Sequence, residues 1–153
     1  SQKIVGESFQ LSGFRDVSNE LISPVLAVEN REVPNFLNSL SSASRKKINM
    51  KKIDEIKEFG NNWNGYGASP FSHEFLENIG EILNGIVVQP EIFPTSRESI
   101  QFEYNFFENK YLEFELYADK IALFKEIDDD EVESVTTLGS VSEFIEFINR
   151  EVR

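Results

Sequence analysis

Three consecutive segments between residues 100 and 124 alternate apolar and polar side chains, and this alternation constrains the fold more than any other feature. A period of two is typical of a strand with one buried face, and the short connections favour antiparallel pairing. We therefore predict an antiparallel meander whose apolar side chains lie on one face. These side chains are Ile100, Phe102, Tyr104, Phe106, Leu112, Phe114, Leu116, Ile121 and Leu123.

The two connections between these segments determine the predicted register. A three-residue loop at 108–110 pairs Phe102 with Leu116, and a two-residue turn at 118–119 pairs Leu116 with Ile121. A shift of one residue would exchange the two faces of a strand. The favoured register is therefore the one that keeps the apolar residues together.

Apolar residues at helical spacing flank the meander on both sides. They predict helices over roughly 48–59, 72–84 and 140–150. Ser72 is a suitable N-cap for the second helix, and Asn84-Gly85 supplies its C-cap. Ser140 and Glu143 match the capping-box pattern at the start of the third helix.

The remaining segments complete the prediction of an α+β fold, a three- or four-stranded antiparallel meander with helices packed on one face. The candidate fourth strand is 132–138, whereas Pro90 and Pro94 bracket an expected extended connector. We expect residues 1–45 to form an N-terminal arm or extended strands and 46–153 to form the α+β domain, together one compact unit. The predicted core consists of Ile56, Phe59, Trp63, Phe75, Ile79, Leu83, Phe102, Tyr104, Phe114, Leu116, Leu123, Phe144 and Ile148.

A loop rich in glycine and asparagine, 60–70, separates the first two predicted helices. Glycine allows backbone angles closed to other residues, and asparagine tolerates the left-handed region. Trp63 and Tyr66 each offer a large apolar area with a polar edge that needs a partner. Two interpretations stay open: a structural loop pinned to the core by Trp63, or a ligand or partner loop with both aromatics as anchors. The loop lacks the spacing of known phosphate-binding loops.

The second face of the meander carries both carboxylates and aromatic rings. The predicted register opposes Glu103 and Glu115, and like charges directly opposed are destabilising. One interpretation is an acidic docking face for a basic protein, since tyrosine suits interface hot spots and a carboxylate pair can receive an arginine. The other is partial cover of this face by residues 1–34. The predicted binding residues of the loop and the face are Trp63, Tyr66, Glu103, Tyr111, Glu113, Glu115 and Tyr117.

Composition narrows the function classes. The net charge of −12 disfavours nucleic-acid binding, which needs clustered lysine and arginine, and it fits a basic protein partner. The chain has no cysteine for a thiolate metal site, and the acidic run 128–131 lacks the spaced ligands and the glycine of a calcium-binding EF-hand loop. No apolar run approaches the roughly 18 residues of a membrane span. We expect a soluble, cytoplasmic protein without cofactor, metal, nucleic acid or membrane.

The run Asn62-Trp63-Asn64-Gly65-Tyr66-Gly67-Ala68, followed by Pro70, resembles the NW[DN]GYGA-x-P signature of a family of small uncharacterised bacterial proteins. A Pro-x-x-x-Pro-Thr segment and a strand ending in aromatic-Glu follow in that family, and 90–95 and 100–103 match them here. The resemblance covers 56–126, about half the chain. Asn64 stands where many members have aspartate, and Ser99 where a glycine is common. The resemblance implies a loop between two helices and gives no mechanism.

Three functions are compatible with these features. We expect a non-enzymatic acidic binding module that docks or neutralises a basic protein, in an antitoxin- or immunity-like role. An alternative is a small hydrolase or ligand-binding enzyme centred on Trp63 and Tyr66, for which no catalytic residue is assigned. Another is a structural subunit of a larger assembly that uses the strands around Pro24 as an edge.

Overall fold

The structure is a computed structural model that describes residues 41–153, and it has the predicted α+β class. Within this range, three helices accompany one antiparallel sheet of five strands in the order β1-β2-β3-β4-β5. Residues 1–40 of the predicted N-terminal arm, with the strands around Pro24, lie outside the described residues, whereas its last residues, 42–45, are helical. In chain order the elements are α1 (Ser42–Ile56), α2 (His73–Gly85), β1 (Glu91–Pro94), β2 (Ile100–Phe106), β3 (Lys110–Leu116), β4 (Lys120–Ile127), β5 (Asp130–Thr137) and α3 (Val141–Val152).

Serine hydroxyls cap each of the three helices described between residues 41 and 153, because an N-cap oxygen satisfies a backbone N–H that has no partner within the helix. Ser72 and Ser140 act as predicted and accept from the backbone N–H of Phe75 and Glu143 at 3.1 and 3.2 Å. Ser41 caps α1, which therefore begins at Ser42, earlier than the predicted start near residue 48. The candidate fourth strand is present as β5, and one unpredicted segment, β1, also pairs in the sheet, so it has five strands where three or four were predicted.

The second hairpin has the predicted register, but the first is shifted by two residues. Leu116 lies opposite Ile121 as expected, whereas Phe102 lies opposite Phe114 rather than Leu116. The first loop is 107–109, because Glu108 and Asn109 adopt left-handed backbone angles with φ of 65° and 58°. A shift of two residues leaves every side chain on its predicted face.

The two outer strands differ from the prediction in different ways: β1 was not predicted, and β5 was predicted to begin too late. The predicted connector between Pro90 and Pro94 is β1, which pairs with β2 and tolerates proline at its ends because it is an edge strand. β5 begins at Asp130 rather than at residue 132. Asp128 and Asp129 both have positive φ, 51° and 72°, and form a two-residue turn of type I′ between β4 and β5.

The core lies between the sheet and the helices, and every predicted core residue is buried in it. The rings of Phe114 on β3 and Phe147 on α3 meet edge to face, with centroids 6.3 Å apart. α2 and α3 approach so closely that a Cβ added at Gly85 would lie 2.5 Å from Ile145 Cδ1. α1 lies against α2 and β1, where the Asn49 amide donates to the Pro90 carbonyl at 2.9 Å.

Replacing Phe114 by alanine tests this packing, because Phe114 is fully buried at the centre of the sheet. We expect Phe114→Ala to lower the free energy of unfolding by about 3–5 kcal/mol in urea denaturation. The matched control is Phe107→Ala, since Phe107 lies in the first hairpin loop and is 92 % exposed. The control should change stability by less than about 0.5 kcal/mol. Similar losses in the two variants would contradict the described packing.

Candidate functional site

The loop 60–70 is held together by its own asparagine side chains. Asn64 is buried, and its Oδ1 accepts from the backbone N–H of Tyr66 at 2.8 Å and of Ala68 at 3.1 Å. Asn62 has a φ of 61°, and its Oδ1 accepts from the N–H of Gly67. These bonds satisfy donors that the irregular backbone leaves without secondary-structure partners.

The two aromatic residues of this loop have different environments. Trp63 is 7 % exposed, packs 4.9 Å from Phe59 and 6.0 Å from Phe71 by ring centroids, and donates its indole N–H to the Ser69 carbonyl. Tyr66 is 50 % exposed. Trp63 therefore pins the loop to the core, as the structural interpretation predicted, and Tyr66 is the aromatic that faces solvent. A shallow cavity of about 310 Å³ is lined by residues that follow this loop, among them Phe71 and Ser72. Neither Trp63 nor Tyr66 contributes to its lining.

We call the sheet surface opposite the helices the acidic face, and the strand pairing shows which residues lie on it. Its strand residues include seven glutamates and one lysine, Lys120. Three pairs of these glutamates are directly opposed across neighbouring strands, an arrangement that costs free energy unless cations approach. The glutamates are Glu91 on β1, Glu103 on β2, Glu113 and Glu115 on β3, Glu126 on β4, and Glu131 and Glu133 on β5.

The half of the acidic face formed by β1 to β3 is largely buried. Glu103 is 5 % exposed and accepts from the Gln101 amide at 2.8 Å. Tyr111 is 2 % exposed and donates to Glu113 at 2.6 Å. The predicted cover of this face by residues 1–34 concerns a segment outside the described residues. Glu103 and Tyr111 offer little surface to a partner in this arrangement, so their part in binding stays a prediction.

An arginine that the sequence analysis did not single out lies beside Glu115. The Nε of Arg97 is 2.7 Å from Glu115 Oε2, and the Ser99 hydroxyl donates to the same oxygen. Burial raises the pKa of the neighbouring Tyr117, and the Glu115 carboxylate raises it further. Arg97 belongs to the connection between β1 and β2. The pairing of β1 with β2 places this connection beside Glu115 of β3. The pattern that predicted β2 and β3 therefore contained no signal for it.

The other half of the acidic face, on β4 and β5, is accessible. Phe124 is half-buried beside Tyr111, with ring centroids 6.2 Å apart, and Val135 is 66 % exposed. Glu126 lies directly opposite Glu131, and Glu133 follows on β5. Within the part of the chain that the structure describes, none of these three carboxylates forms an ion pair. This half combines uncompensated negative charge with two apolar side chains.

The predicted site residues thus fall into two groups that do not meet. Glu103, Tyr111, Glu113 and Glu115 share the acidic face with the half-buried Tyr117 at its end, whereas Trp63 packs in the core on the other side of the sheet. His73 is the exposed first residue of α2. Among residues 41–153, no group of three or more histidine, aspartate or glutamate side chains is arranged to hold a metal ion. No helix of the same range is long and apolar enough to cross a bilayer.

Asn64→Leu tests whether the loop depends on its internal hydrogen bonds. Leucine is close in size but has no acceptor, so two backbone N–H groups lose their partner at a cost of about 1–3 kcal/mol in the free energy of unfolding. Asn64→Asp is the control, because it keeps an oxygen at the same position, and it should lose much less. Equal losses in urea denaturation would show that packing alone, and not the acceptor, matters at this position.

Comparison of the chain with known proteins finds no match. No protein-family model matches the chain, and no curated protein or solved structure matches it either. The likeness of residues 56–126 to a bacterial family therefore stays a resemblance in sequence signature.

Proposed function

We propose that this protein is a non-enzymatic binding module whose acidic face docks and neutralises a basic protein partner. The observation that carries the proposal is the one-sided charge of the sheet, with seven glutamates and one lysine on the face opposite the helices. The net charge of −12 gives this face the sign that attracts a basic surface from a distance. An antitoxin- or immunity-like role, in which the partner is a basic toxin, fits this chemistry.

The accessible half of the acidic face supplies both attraction and anchoring. The directly opposed carboxylates of Glu126 and Glu131 repel each other in the free protein. A guanidinium bound between them replaces that repulsion by charge-assisted hydrogen bonds. Phe124 and Val135 offer apolar contacts beside the pair. Partner binding should therefore depend on salt for its rate and on these apolar contacts for its lifetime.

The two other functions receive no support from the described geometry. In the enzyme alternative Trp63 and Tyr66 act as a pair, yet the Trp63 indole N–H is already bonded to the Ser69 carbonyl inside the core. The assembly alternative relies on strands around Pro24, which lie outside the described residues. The acidic face thus remains the feature from which a function can be argued.

Charge reversal on the accessible half tests the proposal. We expect the wild-type protein to retain basic proteins from a lysate of its source cells at low salt, and to release them near 1 M salt, where the Debye length is about 3 Å. Glu131→Lys/Glu133→Lys should weaken the recovered interaction about tenfold or more, a loss of about 1.4 kcal/mol. Titration of the recovered partner into each purified variant measures this.

The matched control reverses two exposed glutamates of α2, in the variant Glu77→Lys/Glu81→Lys. It changes the net charge by the same amount on the other side of the molecule, so it should retain most of the binding. Equal losses in the two variants would mean that net charge, not the acidic face, attracts the partner. Recovery of no basic protein at low salt would count against the proposal as a whole.

A further inference from the structure

The two edges of the sheet are in different surroundings. α1 lies against β1, and the Asn49 side chain is bonded to the backbone beside that strand. β5, at the other edge, pairs only with β4 among the described elements. Nearly every residue of β5 is exposed, including Val132 at 52 % and Val135 at 66 %. An exposed edge strand of this kind is a template for pairing with another chain.

The backbone groups that β5 offers at its open edge can be identified. In an antiparallel pair, successive residues of a strand point their N–H and C=O alternately toward and away from the neighbouring strand. Leu138, just after β5, donates its N–H to the Asp119 carbonyl at 3.0 Å, and the type I′ turn bonds Asp130 to Ile127. The backbone N–H and C=O groups of the even-numbered residues of β5 thus bond to β4. The outward groups belong to Glu131, Glu133, Val135 and Thr137.

We propose that β5 receives an extended basic segment of the partner as a sixth strand of the sheet. This inference rests on the proposed function, because it names the part of the partner that the acidic face binds. Main-chain hydrogen bonds to the four outward residues provide the attachment, as in other cases of strand addition to a sheet edge. The side chains of Glu131, Glu133 and Val135 lie on the acidic face and select the sequence of the added strand.

Charge decides between a basic segment and a second copy of this protein as the occupant. The turn and β5 carry five carboxylates, and the sequence contains no lysine or arginine between Lys125 and Arg150. Pairing of two β5 strands would bring ten of these carboxylates together, in two molecules that each have a net charge of −12. Like charges across a strand pair are destabilising, whereas lysine or arginine opposite glutamate is favourable.

The register of β5 also determines the pattern expected in the added strand. Cross-strand neighbours share a face of the sheet, so residues opposite Glu131 and Glu133 are basic and the residue opposite Val135 is apolar. These three positions alternate with others that point to the helix side of the sheet. The occupant is therefore an extended segment in which two basic residues and one apolar residue recur at every second position.

Proline at position 135 separates strand addition from electrostatic attraction. The Val135 N–H points to the open edge, so Val135→Pro removes an outward donor and adds bulk there while the bonds to β4 and the net charge are unchanged. Val135→Thr is the control, because it keeps the N–H and the β-branched shape. The probe is an end-capped peptide in which two lysines and one valine occupy successive alternate positions, with threonine between them. We expect binding to weaken about tenfold or more in Val135→Pro, equal to about 1.4 kcal/mol, and to persist in Val135→Thr.

Two further measurements guard against a variant that is simply misfolded. The same peptide N-methylated at alternate residues has its charge but not its donors, and it should bind the wild-type protein about tenfold more weakly. Hydrogen exchange of the wild-type protein should slow on peptide binding at the amides of Glu133 and Val135. The amides of Val132 and Ser134, which already bond to β4, should change little.

The outcomes distinguish this inference from the proposed function. Unchanged binding of both Val135→Pro and the N-methylated peptide, with loss in Glu131→Lys/Glu133→Lys, would overturn strand addition and leave acidic docking standing. Loss of affinity in neither protein variant would overturn both. A dimer in light scattering that Val135→Pro converts to monomer would show that the occupant is a second copy, which overturns the choice of a basic segment.

Discussion

The burial of alternate side chains of β2, β3 and β4 against α2 and α3 is the interaction on which the rest of the structure depends. Each fully buried phenylalanine or leucine in this layer contributes about 1.5–3 kcal/mol, far more than any single polar contact on the other side. Because side chains alternate strictly along a strand, placing Phe102, Phe114 and Leu123 inward forces their neighbours outward. The acidic face is therefore a consequence of the core packing, and its glutamates cannot move inward without exposing the core.

The two halves of the acidic face differ in how their glutamates are compensated. Along β1 to β3, Gln101 and Tyr111 give Glu103 and Glu113 hydrogen-bond partners, and Arg97 neutralises Glu115. Along β4 and β5, described residues supply no such compensation. A buried carboxylate needs partners because desolvation is costly, whereas an exposed one keeps its water until a ligand arrives. The uncompensated half is consequently the half that remains available for an external cation.

The sequence predicted those features that depend on periodicity and on local capping. The alternation from Ile100 onward specified the strands and their faces, and Ser72 and Ser140 marked two helix starts, because these signals act within a few residues. β1 was missed since Pro90 and Pro94 argue locally against a strand and only pairing with β2 overrides them. The first hairpin was misregistered because left-handed backbone angles at residues 108 and 109 are not encoded by hydrophobic pattern.

The candidate site was less predictable than the fold, for a related reason. Alternation indicates which way Glu103 and Tyr111 point but not how much surface they keep, because burial depends on what packs against a face. Trp63 shows the same limit, because the sequence alone allows its indole to bind a ligand or to pack in the core. The contacts with the Phe59 and Phe71 rings and the hydrogen bond to the Ser69 carbonyl identify the core position. Arg97 required the pairing of β1, a long-range fact, before its role beside Glu115 could be seen.

The acidic residues of β5 bear on which chains can pair with its open edge. Edge strands that lack protection invite association with identical strands, and charged side chains are a common means of preventing it. The charges of β5 and its turn all have one sign, so under the proposed strand addition they disfavour a second copy while remaining complementary to a basic strand. Specificity is a difference between affinities, and repulsion of the wrong partner contributes to it as much as attraction of the right one. Under the proposed strand addition, the same five carboxylates disfavour pairing with a second copy and favour a basic partner.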